Sequence, residues 1–123
     1  MSSPVITVYL DYQFPTDKFS FRIYKQDTPV IRCWLTVNRI KFQPTSDNSC
    51  LLAYATTGFE TNSAPITITG TVSTTENYID FVIPDTITNG DYFSQIVLRN
   101  NVTSKQWVWG DGKMSIKRKA GVA

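Results

Sequence analysis

The sequence predicts an all-β protein, an antiparallel β-sandwich of about eight strands, and three observations carry that expectation. First, apolar and polar residues alternate with a period of two in stretch after stretch, as in strands that lay one face on a core. Second, Asn77 to Arg99 reads as strand, corner, strand. Ile79, Phe81 and Ile83 share a face, Pro84 cannot donate to a ladder, and Tyr92, Ile96 and Leu98 resume the pattern after Gly90. Third, seven Phe, six Tyr and three Trp favour sheet. No stretch of helical length keeps an i, i+3, i+4, i+7 apolar spacing. The 123 residues are expected to form one domain, with residues 1–17 as a strand or arm, 18–118 as the core and 119–123 as a tail or linker start.

Taken in order, Pro4 to Leu10 (PVITVYL) is a first strand or a segment pairing along an edge, and Asp11 to Asp17 is a loop broken by Pro15. Lys18 to Tyr24 turns Phe19, Phe21 and Ile23 inward. Lys25 to Pro29 is a polar turn. Val30 to Val37 has the near-continuous apolar character of a central strand, burying Ile31, Cys33 and Leu35. Turn formers fill Gln43 to Ser49, and Cys50 to Thr56 is the next strand. In Pro65 to Ser73, Gly70 falls on the apolar face, where a missing side chain marks a bulge or a close backbone approach. Near the C-terminus, Gly110-Asp111-Gly112 reads as a turn between a strand holding Trp107 and Trp109 and a last strand with Met114 and Ile116 inward.

Charge and residue types exclude several functions. A net charge of +2 is too weak to imply a nucleic-acid partner, and the basic cluster Lys113, Lys117, Arg118 and Lys119 reads as a solvated end. No segment approaches the ~20 apolar residues of a membrane helix. The N-terminus lacks the basic and apolar regions of a secretory signal. Histidine is absent, which removes the usual general base and the commonest metal ligand. Asp80 and Asp91 lie on or near adjacent strands and could form a paired carboxylate site, but Asp80 points away from the core and Asp91 follows Gly90 in a turn, which explains both without catalysis. Asp47-Asn48-Ser49 and Asp111-Gly112 lack the spaced carboxylates of a calcium loop. The expectation is a non-enzymatic protein with no cofactor and no metal. Cys33 and Cys50, too few for a disulfide framework, read as core thiols, with a bridge between neighbouring strands left open.

The aromatic residues are the most specific signal. Trp107 and Trp109 lie two apart on a strand and so share a face, with Val108 on the other. They either fill the core or stand exposed as a stacking platform for a sugar ring or a protein partner. Tyr9, Tyr12 and Phe14 could serve the same end if their segment crosses an edge of the sandwich.

Motifs join these elements into a larger pattern: Lys25-Gln26-Asp27-Thr28 before a buried strand, Ile68 to Val72 (ITGTV), Pro84 followed by Gly90-Asp91-Tyr92, and a strand ending in Ser115 to Lys119 (SIKRK). Over about Phe19 to Lys119, the chain resembles the immunoglobulin-like N-terminal domain of bacteriophage baseplate upper proteins and related phage fibre-attachment domains. The first motif lacks the glycine usual in that family, whereas the proline-to-tyrosine corner matches closely. The resemblance implies an immunoglobulin-like sandwich acting as a virion structural module, made in the host cytoplasm, that anchors or decorates a tail, baseplate, fibre or capsid. It brings no catalytic residues. Other virion proteins are the implied partners, with several copies around a symmetry axis, as in a trimer. Family members continue into a linker and further modules, so this chain is expected to be such a domain or a small stand-alone virion subunit. The alternative is a carbohydrate-binding module that attaches to host-surface glycans through exposed aromatics.

Overall fold

The computed structural model describes residues 4–12, 17–56 and 65–118. Among these residues lie ten strands. β1 (Val5–Tyr12), β2 (Asp17–Tyr24), β3 (Val30–Val37), β4 (Ile40–Lys41) and β5 (Asn48–Ala55) make the first half. β6 (Ile66–Thr69), β7 (Thr71–Val72), β8 (Tyr78–Val82), β9 (Gly90–Asn100) and β10 (Gln106–Lys117) make the second. The described residues contain no α-helix, only a single 3-10 turn at Lys25–Asp27. One sheet runs β1-β3-β8-β7 with β4 attached to β3, and the other runs β2-β10-β9-β5-β6.

The core fills the space between the sheets. Ile31, Cys33 and Leu35 of β3 and Ile79 and Phe81 of β8 point inward from the first sheet. Leu52, Ile96, Leu98, Met114 and Ile116 meet them from the second. Full burial of each such side chain stabilises the fold by roughly 1.5–3 kcal/mol. The inward sets expected for β2, β3, β8, β9 and the end of β10 are those observed, and the all-β sandwich stands.

The sheets are mixed rather than wholly antiparallel. β1 runs parallel to β3 in register Val5↔Val30 through Tyr12↔Val37, and β2 runs parallel to β10 from Asp17↔Gly110 to Tyr24↔Lys117. Parallel neighbours need a long crossover. Here the chain returns beside β1 by way of β2 in the opposite sheet.

Among the described strands the chain crosses between the sheets five times, and two of these crossings are corners that the sequence marks. After β8 the ladder ends before Pro84, and the chain returns at Gly90 as β9 in the other sheet. The hydroxyl of Tyr92 donates to the carbonyl oxygen of Thr88 at 2.6 Å, pinning this corner to the start of β9. Such a tyrosine corner is a hallmark of immunoglobulin sandwiches. At the second corner Gly70 separates β6 from β7 and so from one sheet to the other. A Cβ there would lie 2.7 Å from Ile79 Cγ2 and from Phe81 Cε1, so the close approach expected of Gly70 is real.

Gly110-Asp111-Gly112 is not a turn. β10 runs straight through it, correcting the expected break between two strands. Of the two glycines, Gly112 answers local crowding instead. Gly110 resumes pairing after a register shift, and a Cβ on Gly112 would sit 1.9 Å from the carbonyl oxygen of Phe19 on β2. The tight connection is elsewhere, between β3 and β4. Asn38 and Arg39 both have positive φ, 51° and 68°, as a two-residue type I′ hairpin requires.

Candidate functional site

The site grows from one irregularity in β10. Trp107 pairs with Leu98 and Val108 with Val97, but Gly110 pairs with Ile96, leaving Trp109 as an extra residue in a β-bulge. The bulge adds a second inward-facing position next to Gly110, and Trp109 fills it with only 3% of its surface exposed. Its indole Nε1–H donates to the carbonyl oxygen of Leu10 at 3.3 Å. Its ring packs against Tyr12 and Phe42, with centroids 5.0 and 4.9 Å away. A buried tryptophan needs such a partner for its N–H, and β1 supplies it.

Above this cluster, at one end of the sandwich, β1, β3 and β9 finish where β5 and β10 begin. The gap between them is a pocket of about 390 Å³ walled by Tyr12, Phe42, Trp107 and Trp109. Among the described residues no charged side chain lines it; its polar residues are Gln43, Thr45, Asn48 and Asn100. These are held in place. The amide nitrogen of Gln43 donates to the carbonyls of Pro44, Ser73 and Glu76 at 3.0–3.1 Å, tying the loop after β4 to the turn before β8. Asn48 Oδ1 accepts from the Thr45 backbone N–H at 2.9 Å. Asn100 Oδ1 accepts from the N–H groups of Val102 and Thr103 at 2.9 and 3.1 Å. Among the described residues, the Asn100 amide N–H₂, the Trp107 indole N–H and the Tyr12 hydroxyl have no hydrogen-bond partner.

The structure thus brings together three of the five aromatic residues singled out in the sequence, Tyr12, Trp107 and Trp109. They divide by role: Trp109 is core, whereas Trp107 and Tyr12 are half-buried walls. Tyr9 is elsewhere. It is three residues from Tyr12, an odd separation that places it on the opposite face of β1, where 76% of it is exposed. Phe14 lies outside the described residues. Phe42, Gln43 and Asn100 were not legible as site residues: Phe42 and Gln43 lie in the loop after β4, where no periodicity marks direction, and Asn100 is the last residue of β9, where the alternation runs out.

Tyr9 belongs to a second surface, the outer face of the first sheet. Register aligns Tyr9, Trp34 and Tyr78 in one row, Thr7, Arg32, Asp80 and Thr71 in the next, and Val5, Val30 and Val82 in a third. Arg32 grips Asp80 through two bonds, 2.8 and 2.9 Å, and lies 4.1 Å from the centre of the Tyr78 ring. The bond to Asp80 holds the guanidinium pKa above its ordinary value. Val5 and Val82 are each more than half exposed. A polar row (Thr7, Arg32, Asp80 and Thr71) thus divides the valine row from the aromatic row, and a second polar row, Asp11, Thr36 and Lys41, borders the aromatic one.

The remaining chemical candidates separate. Asp80 sits on β8 and Asp91 on β9, strands of different sheets, and both point outward, so the two carboxylates do not form a pair. Asp91 accepts from the Ser115 hydroxyl at 2.7 Å, which with nearby Lys117 holds its pKa below the usual carboxylate range. Cys33 and Cys50 face the core from opposite sheets as free thiols. Burial pushes the Cys33 thiol up to about 12 and that of Cys50 higher still, so neither is a nucleophile at neutral pH. Among the described residues no group of three or more Cys, Asp or Glu is placed to hold a metal ion.

Comparison with protein-family models and with curated proteins gives no match. Among solved structures, the chain is similar to the N-terminal domain of phage TP901-1 ORF48, with a TM-score of 0.56. The alignment covers 94% of this chain and 99% of that one at 9% sequence identity, a likeness of fold.

Proposed function

We propose that this protein is a non-enzymatic structural module of a phage virion, which anchors or decorates a tail, baseplate, fibre or capsid through protein–protein contacts. The observation that carries the reading is the match in fold to a phage domain over almost the whole of both chains. A shared sandwich spanning the complete solved domain supports a shared kind of building block, although a fold hosts many functions.

The surface chemistry favours the same reading. The outer face of the first sheet presents Val5, Tyr9 and Val82 to solvent beside Trp34 and Tyr78. Aromatic anchors beside an internally paired arginine are among the groups that protein interfaces bury, and a rigid sheet loses little entropy on docking. Other virion proteins and further copies of this chain are the partners that the reading names.

The test uses the purified chain and the dissociated structural proteins of a phage whose genome carries this sequence. Immobilised wild-type protein should retain a virion protein, and Val82→Asp should lose it while melting like the wild type. A chain that stays strictly monomeric in light scattering and retains no virion protein contradicts the proposal.

A further inference from the structure

The end pocket is remote in chemistry from the flat valine and aromatic face, and it is concave. We infer that it is a binding site for a single neutral pyranose, the terminal ring of a glycan. Its volume, about 390 Å³, lies in the range of small-ligand sites and suits one sugar ring rather than a long oligosaccharide.

Three features select the ligand class. The walls are aromatic, and the half-buried Trp107 offers an indole face on which the C–H face of a pyranose stacks. The pocket also holds donors that nothing among the described residues satisfies: the Trp107 indole N–H, the Asn100 amide and the Tyr12 hydroxyl. Ring hydroxyls are the natural acceptors for a spread of neutral donors around an apolar wall. Among the described residues no charged side chain lines the pocket, which disfavours phosphates, carboxylates and ammonium groups, since these would lose hydration without a countercharge.

The site is also preorganised. Trp109 is fixed by its bond to Leu10, and Asn100 Oδ1 is committed to two backbone N–H groups, so binding orders few side chains.

The experiment is an NMR titration of the ¹⁵N-labelled full chain with the methyl glycosides of glucose, galactose, rhamnose and N-acetylglucosamine. The chain has three indole N–H signals, from Trp34, Trp107 and Trp109. At least one glycoside should move the Trp107 signal saturably, with a Kd on the order of 1 mM or tighter, and leave that of Trp34 unmoved. Trp107→Ala and Asn100→Ala should each weaken binding about tenfold, whereas Tyr9→Ala should bind as the wild type does. The inference is overturned if no glycoside gives saturable shifts, if the shifts centre on Trp34, or if both pocket variants bind normally. Because the pocket and the outer sheet face are separate, a negative result here leaves the virion role standing.

Discussion

The indole N–H of Trp109 donates to the carbonyl oxygen of Leu10 at 3.3 Å, a bond that ties the second sheet to the first at the end where the pocket opens. Removing the ring removes the bond, the contacts with Tyr12 and Phe42, and the floor of the pocket together. Trp109→Ala should therefore cost about 3–5 kcal/mol in urea unfolding. Trp109→Phe keeps an aromatic ring but leaves the carbonyl without its donor, for a loss of about 1–3 kcal/mol. Trp107→Ala, at a half-buried wall, should cost no more than about 1 kcal/mol. Equal losses at the two tryptophans would show that the bulge does not divide their roles.

The corner between β8 and β9 offers a matched pair of tests. Tyr92→Phe deletes only the hydroxyl that donates to Thr88 and should lower stability by about 1 kcal/mol, or about 3–5 °C in Tm. Two residues on, the hydroxyl of Ser94 is buried with no partner among the described residues. Ser94→Ala should be neutral or stabilising, because it deletes a polar atom that folding strips of water. A substantial loss at Ser94 would mean that its hydroxyl has a partner after all.

Gly112 tests the parallel pairing of β2 with β10. Its Cβ would lie 1.9 Å from the Phe19 carbonyl oxygen, a clash with backbone that no rotamer relieves. Gly112→Ala should destabilise on the order of 3 kcal/mol. Gly70→Ala meets only side-chain atoms, at 2.7 Å, and should cost about 1–3 kcal/mol. An unchanged urea midpoint for Gly112→Ala would contradict the close packing of these two strands.

How far the fold was legible follows from what alternation encodes. Alternation tells which face of a strand is buried, so Ile31, Cys33 and Leu35, or Met114 and Ile116, were assigned inward without knowing a neighbour. It is silent about partners. The parallel placement of β1 beside β3 and of β2 beside β10 depends on long-range register that no local pattern carries. The Gly-Asp-Gly stretch misled because glycine serves turns and crowded strands alike, and only the nearby backbone of β2 separates the two uses. At the site, the even spacing of Trp107 and Trp109 placed both on one face. Grouping Tyr9 with Tyr12 as one aromatic surface overlooked their odd spacing, which puts them on opposite faces of β1.

The core thiols give a pH dependence with a definite sign. Burial raises both thiol pKa values in the folded state, that of Cys33 from 9.0 to about 12. The unfolded chain therefore releases these protons first. The stabilisation is complete below about pH 9 and is lost as pH rises toward the folded-state values, by about 1.4 kcal/mol per pH unit for each thiol. A Cys33→Ala/Cys50→Ala double variant should show a correspondingly shallower alkaline decline in stability. In native protein at mildly alkaline pH, both thiols should react with a thiol reagent only as fast as the fold opens. Rapid labelling of either one without unfolding would contradict their burial.

The claim on which the functional account rests is that this chain is built into a particle. Quantitative mass spectrometry of purified phage particles, from a phage whose genome carries this sequence, tests it most directly. The account predicts the chain in the particles at a fixed ratio to the other structural proteins. Its absence from particles, when it is abundant in the infected cell, would contradict the account.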